Sequence, residues 1–243
     1  MSAWSKATVM LSLLCAAGAG QAQLETAQAV LERYQQALGG VDAIRGVQSE
    51  TRRGKVEATG LKGEATFTSF AKPFKSLFKV TRPDGQETVS GFDGTVSWSV
   101  TPQGASIDKD TAIDAVRLDA DLQYALHQPD YFQKLELAGV TDFEGRSCYW
   151  LHGTTRWGKD NNQFYDVQTG LLAGYRFQSD DSSSTVTTLL FQEYKSFGRI
   201  LVPTKMTVRG GGRVQTLTVT SVSYEPVADS IFDLPPGVKA LLK

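Results

Sequence analysis

From Val47 onward, apolar and polar positions alternate with a period of two, in runs cut by Gly, Asp, Asn and Pro. Strand-like runs fall at 49–59, 63–71, 75–82, 86–92 and 94–101, with turns predicted at TGLKG, AKPF, RPDG and FDG. Five short strands in series read as an antiparallel meander. Strands resume at 135–141, 146–155, 162–167, 171–178, 185–196, 200–209 and 213–224, and DSIFDLPP closes the pattern as a turn or single helical turn. Two stretches carry helical spacing instead. In the first, Leu24, Ala27, Val30, Leu31, Tyr34 and Leu38 share a face ahead of Gly39-Gly40, with a short helical piece at 41–45 after it. The second is 108–127, where Ile113, Val116, Ala120 and Tyr124 lie on one side and Leu118, Leu122, Ala125 and Leu126 widen the apolar face. More than ten strands without a βαβ rhythm exclude a parallel doubly wound fold. The pattern predicts a mainly β, α+β protein: a large curved antiparallel sheet closed by two or three helices.

The first 22 residues change the picture. Lys6, the apolar stretch Val9–Ala17 and small residues around Gln21 predict a signal peptide cut near Ala22. The expectation is a soluble, exported protein with one domain over 23–243. Leu14 is large where lipoprotein processing at Cys15 wants a small residue, and once Cys15 leaves, Cys148 has no partner for an intramolecular disulfide. Lys+Arg number 25 against 26 Asp+Glu, a balance that argues against nucleic-acid binding. Composition sets no oligomeric state. A chain of 243 residues, 41% hydrophobic, can bury roughly 70% of its unfolded surface without staples.

Candidate chemistry is sparse. On a strand, Cys148 and His152 would sit ~13 Å apart along one face, too far for a thiol–imidazole dyad. Asp108, Asp110 and Asp114 resemble a calcium loop, but Ile113 stands where Gly is required and Asp119 where a bidentate Glu belongs, so Asp110 reads as a helix cap. Gly210-Gly211-Gly212 lies between two strands and predicts a hairpin turn, not a phosphate loop. SDDSSS at 179–184 reads as a solvated hairpin loop, and Asp166 with Gly170 as turn chemistry. No Gly-x-Ser-x-Gly elbow occurs. A hydrolase would need a polar cleft, with His152, Asp166 and Tyr165 as its candidate residues. No cofactor or metal is expected, and a non-enzymatic role is.

What remains is apolar surface. Phe78 and Val80 share a strand face; so do Val96, Trp98 and Val100, and so do Leu171, Ala173, Tyr175 and Phe177. These faces either fill one another or line a cavity beneath the helices. Phe78, Val80, Val96, Trp98, Val100, Leu171, Tyr175 and Phe177 are the candidate ligand-lining residues.

Four segments, AVLERYQQALGGVDAIRGVQS, GFDGTVSWSV, FYDVQTGLLAGYRF and VPTKMTVRGGGRVQTLTVTSVSYEPVADSIFDLP, resemble exported bacterial proteins classed as outer-membrane lipoprotein-sorting-like. That group is similar in fold to the LolA/LolB lipoprotein carriers. The resemblance implies an incomplete antiparallel barrel whose concave apolar face is covered by helices, a container for acyl chains. It further implies a carrier or sensor of a lipid or lipidated protein, with an envelope membrane protein as a possible delivery partner. The alternative is a cell-envelope structural or protein-interaction module with a packed interior. In the carriers of that group an interior arginine is implicated in holding the helical lid. Arg52 and Arg53, on opposite faces of the first predicted strand, match no such motif and do not inherit the role.

Overall fold

A computed structural model describes residues 26–108, 110–178 and 185–242. The predicted signal peptide, Leu24, the 179–184 loop and the side chains of Asp110 and Asp114 lie outside the described residues. Helix α1, Ala27–Leu38, starts where Thr26 Oγ1 accepts a hydrogen bond from the Ala29 N–H at 3.1 Å. It ends at Gly39, where φ is 129° and a Cβ would fall 2.1 Å from the Arg199 carbonyl oxygen. Val30, Leu31, Tyr34 and Leu38 are its buried stripe, and α2, Val41–Arg45, follows.

All strands belong to a single antiparallel sheet. The first meander comprises β1 (Glu50–Ala58), β2 (Ala65–Lys72), β3 (Lys75–Thr81), β4 (Glu87–Phe92), β5 (Ser97–Thr101) and β6 (Gly104–Ile107). The second comprises β7 (Phe132–Phe143), β8 (Arg146–Thr155), β9 (Asp160–Asp166), β10 (Leu172–Gln178), β11 (Val186–Phe197), β12 (Ile200–Gly210) and β13 (Arg213–Ser223). Strand β1 pairs with β13, giving a 13-stranded sheet in the order β6-β5-β4-β3-β2-β1-β13-β12-β11-β10-β9-β8-β7. The edges β6 and β7 do not pair, so the sheet stays open. The β12–β13 hairpin turns on Gly211 and Gly212, with φ of 54° and 72°, as a type I′ turn demands.

Three details depart from the predicted pattern. Strand β6 lies in a stretch with no predicted strand. The single helix predicted over 108–127 is α3 (Asp110–Asp119), α4 (Tyr124–His127) and a 3₁₀ turn, Gln128–Tyr131. The break has a cause: Asp121 Oδ1 accepts from the Gln123 N–H at 3.0 Å, while its Oδ2 receives the Tyr131 hydroxyl at 2.8 Å. Those side-chain bonds compete with helix propagation. A fifth helix, α5 (Pro236–Leu241), follows a 3₁₀ turn at Asp229–Phe232, beyond the single turn predicted there.

Pairing assigns each residue to a face. The inner face carries α1, and on it Tyr149, Leu151, Tyr165 and Leu172 form one buried cluster with the α1 stripe. The outer face carries a second cluster of Phe143, Cys148, Phe164, Ala173 and Leu190, in which the Phe143 and Phe164 rings stack at 4.0 Å. At the other end of the outer face α5 lies on β5 and β6, with Gly237 against Ala105. Trp98 shares that face, because Val100 pairs with Ala105 two residues along. Its ring fills the space left by Gly91, where a Cβ would come within 2.6 Å of Trp98 Cζ2.

Trp98 is 2% exposed, so Trp98→Ala should cost about 3–5 kcal/mol. Urea unfolding is expected to show a lowered midpoint at unchanged slope. A loss below about 1 kcal/mol would contradict the coverage by α5.

Candidate ligand-binding face

The helices seal one half of the inner face. Helix α1 spans it from Ala27, beside Leu135 and Leu137 of β7, to Gly39 at the β11–β12 turn. The β9–β10 turn clamps this helix: Arg33 Nη2 donates to the Gln168 carbonyl at 2.9 Å, and Gly170, with φ of 74°, leaves room for the Arg33 side chain. Asp166 shapes the turn by accepting from the N–H groups of Gln168 at 2.9 Å and Thr169 at 2.8 Å. It is turn chemistry, as the sequence indicates.

Beneath α4 the interior is filled by a hydrogen-bonded polar group. Gln128 Nε2 donates to Gln163 Oε1, and the Tyr165 hydroxyl donates to the same oxygen at 2.8 Å. All three residues are essentially inaccessible to solvent. Burial raises the Tyr165 and Tyr175 hydroxyl pKa values well above the ordinary range, so both stay protonated donors. The space left under the helices is a cavity of about 160 Å³ lined by Tyr34, Glu50, Arg52, Leu122, Tyr124 and Tyr224, among others. At ~30 Å³ per water molecule it has room for about five waters, too little for a long acyl chain.

In that cavity Arg52 Nε and Nη2 donate to the two carboxylate oxygens of Glu50 at 2.7 and 3.1 Å. The Glu50 side chain is 9% exposed and that of Arg52 25%. The pair is bidentate and shielded, so each charge depends on the other. Arg53, the next residue, is exposed on the outer face.

The other half of the inner face is only partly covered. Pairing aligns Val56 with Ala65 and Leu217, and Phe67 with Val80, and these residues form a third cluster with Val219 and Phe78. The end of this face holds two adjoining clefts. One, of about 370 Å³, is lined by Val56, Ala58, Leu61, Ala65 and Val80 with Thr59, Arg82 and Gln215. The other, of about 380 Å³, is lined by Thr187, Val208, Gly210, Gly211 and Arg213 and again by Gln215. A third hollow of about 690 Å³ lies at the β7 edge, between Ala27, Leu135, Leu137, Trp150 and His152.

The structure divides the candidate residues between faces. Phe78 and Val80 are inner: Phe78 stacks on Phe67 at 5.4 Å, and Val80 lines the first cleft. Leu171 packs against the α1 cluster, Tyr175 meets Phe191 edge-on at 5.7 Å, and Phe177 is 37% exposed farther along the same face. Trp98 and Val100 are outer, since Phe78 pairs with Ser90 and Ser90 with Ser99, leaving their neighbours on the opposite side. Val96 precedes β5, its N–H bound to Asp93 Oδ1 at 2.7 Å. The face expected to hold Leu171, Ala173, Tyr175 and Phe177 together is broken by a bulge at Ala173. Leu172 stands with Tyr175 on the inside, and Ala173 joins the outer cluster.

The polar candidates do not assemble. Tyr165 is inner and His152 outer, where His152 Nδ1 lies 3.2 Å from Asn162 Oδ1. Cys148 is fully buried, and burial, reinforced by the Asp166 charge, pushes its thiol up to about 11, so it remains an unreactive SH at neutral pH. Asp108 accepts from Ser97 Oγ. The Glu50–Arg52 pair and the Gln128–Gln163–Tyr165 group were not evident from the sequence. Alternation places Glu50 and Arg52 on one face, but only the helices above them show that this face is buried.

No protein-family model matches the chain, and no curated protein matches it in sequence. Solved structures do match in fold. A DUF1329 family protein from Desulfovibrio piger superposes with a TM-score of 0.61 at 16% identity, over 86% of this chain and 98% of that one. A LolA superfamily protein from Nitrosomonas europaea gives 0.60 at 15% identity, over 87% and 99%. An outer membrane lipoprotein-sorting protein domain from Vibrio parahaemolyticus gives 0.60 at 11% identity, over 88% and 98%. The chain has a LolA-like fold.

Glu50→Gln should destabilise the protein by about 3 kcal/mol, because Arg52 then keeps a shielded charge without its counter-ion. Replacing both, Glu50→Leu with Arg52→Leu, should cost less than that single change. Urea unfolding of the single and double variants checks the ordering.

Proposed function

We propose that this protein is a periplasmic, non-enzymatic carrier or sensor of a hydrophobic ligand, a lipid or the acyl chain of a lipoprotein. Cleavage near Ala22 leaves one domain, 23–243. The observation that carries the reading is the unequal coverage of the inner face: covered by α1 toward one end of the second meander, partly exposed and apolar around Phe78, Val80 and Leu217. Apolar residues with no helix over them gain from an apolar occupant. At roughly 0.8 kcal/mol per buried CH₂, a ten-carbon tail gains on the order of 8 kcal/mol before ordering costs. The LolA-like fold supports the same reading, since the similar domain from Vibrio parahaemolyticus is named for lipoprotein sorting. No helix among the described residues is long and apolar enough to cross a membrane. The delivery partner in this reading is an envelope membrane protein.

A second reading rests on the β7 edge. Its 12 residues run from Phe132 to Phe143 with one side unpaired, next to the hollow at Leu135 and Leu137. An unpaired edge of that length is a template for strand addition. The protein would then be an interaction module of the envelope, co-purifying with a protein instead of a lipid.

Native mass spectrometry after mild purification is expected to show a chain beginning at Gln23 with bound lipid, and a fluorescent fatty-acid probe should bind. Val80→Glu places a charge in the wall of the first cleft and should weaken the probe at least ~10-fold. Absence of both lipid and probe binding would sink the carrier reading.

A further inference from the structure

Resting on the hydrophobic-ligand reading, we propose that the open end of the inner face selects a single-chain amphiphile with an anionic head, of the fatty-acid class. The two clefts there present different sets of side chains, though the second also includes Val208. Val56, Ala58, Leu61, Ala65 and Val80 give the first an apolar floor, while the second is walled by Thr187, glycines and Arg213. Gln215 lines both, so a chain in the first cleft emerges with its head beside the second.

Size limits the occupant. A methylene needs about as much room as a water molecule, ~30 Å³, so a cleft of about 370 Å³ takes roughly twelve carbons. That room suits one chain of medium length.

Charge sets the sign of the head. Arg82 directly follows β3, whose last residue, Thr81, pairs with Thr66. Arg213 opens β13, with Ala58 and Gln215 paired nearby at the same end of the sheet. Arg82 lies level with Ala65, Val56 and Leu217, and Arg213 stands four residues farther along β13, so the two arginines flank the path of the chain, Arg82 in the wall of the first cleft and Arg213 beyond Gln215 in the second. Both arginines are exposed and line the clefts. Among the described residues of this end, Glu64 pairs with Lys55 at 2.7 Å, Glu87 pairs with Lys79 at 2.5 Å, Asp84 Oδ1 accepts from the Gln86 N–H at 3.0 Å, and Glu57, next to Val56, lies on the outer face. Two guanidinium groups beside an apolar cleft favour a carboxylate head over a neutral or cationic one.

The test displaces an uncharged reporter, N-phenyl-1-naphthylamine, from the signal-peptide-cleaved protein with three ligands of equal chain length: dodecanoate, dodecanol and dodecyltrimethylammonium. Dodecanoate is expected to compete at least ~10-fold better than the other two, with the advantage shrinking as salt rises. In the double variant Arg82→Gln/Arg213→Gln the advantage of dodecanoate over dodecanol, read as the ratio of the two within that variant, should vanish. Equal competition by all three ligands, or a preference that survives in the double variant, overturns the head-group inference and leaves the hydrophobic-ligand reading standing. Failure of the reporter and every ligand to bind overturns both.

Discussion

The pairing of β1 with β13 is the constraint on which the rest of the molecule depends. It joins strands from opposite ends of the chain, Thr51 to Ser223 and Ala58 to Gln215, and turns two meanders into one sheet. Closing so long a loop carries an entropic cost that must be met before any long-range contact offsets it. The seam is built for close approach. A Cβ on Gly54 would fall 2.1 Å from the Thr218 carbonyl oxygen, and Thr220, set out of register beside it, donates its hydroxyl to the Arg53 carbonyl at 3.1 Å. Glu50 and Arg52 sit on this same seam strand, so the shielded ion pair and the closure of the sheet are one piece of structure.

A sheet this wide has more inner surface than the described helices cover. Helix α1 is fixed over the second meander by its own apolar stripe, by Arg33 at the β9–β10 turn and by Gln35 Nε2 donating to the Ala125 carbonyl at 2.9 Å. Helix α2 is tied to the start of α4 through Gln123, whose amide donates to the Arg45 carbonyl at 2.9 Å. These bonds hold the cover toward one end of the strands. At the other end Val80, Val208 and Leu217 keep partial solvent access, and the loop residue Leu61 packs against the third cluster there.

Much of this was legible in the sequence. Period-two alternation and Gly, Asp and Pro at the breaks place nearly every strand, and the Gly39-Gly40 pair ends α1 where expected. What escaped depends on contacts distant along the chain. Trp98 reads as a groove residue because alternation gives strand faces without saying which face is inner. Its partners, Gly91 across the ladder and α5 from the far C-terminus, decide that it lies outside. Ala173 was misassigned to the Tyr175 face because a one-residue bulge reverses the parity of everything before it. The split of the 108–127 helix turns on Asp121 meeting Tyr131 and His127 Nδ1, the latter at 2.9 Å, an arrangement that spacing alone does not reveal. For the candidate site the consequence is direct. Of the eight residues named, those of β3 and β10 share the inner face, while those of β5 serve the packing beneath the C-terminal helix.

This division matters for how a protein of this shape stays folded with its open clefts empty. The clusters under α1, between Phe143 and Leu190, and around Trp98 are closed to solvent and need no ligand. The third cluster is closed at Val56, Phe67 and Val219 but half-exposed at Phe78, Val80 and Leu217. An occupant would therefore extend an existing core at its edge instead of filling a hole at its centre. Such binding stabilises the native state only by mass action, about 2.7 kcal/mol at a hundredfold excess over Kd, and its loss leaves the sealed clusters intact. Release of such an occupant would require no unfolding of the sheet, because the cleft lies over the β1–β13 seam, at Val56, Ala58 and Gln215, without interrupting the backbone ladder that joins the two meanders.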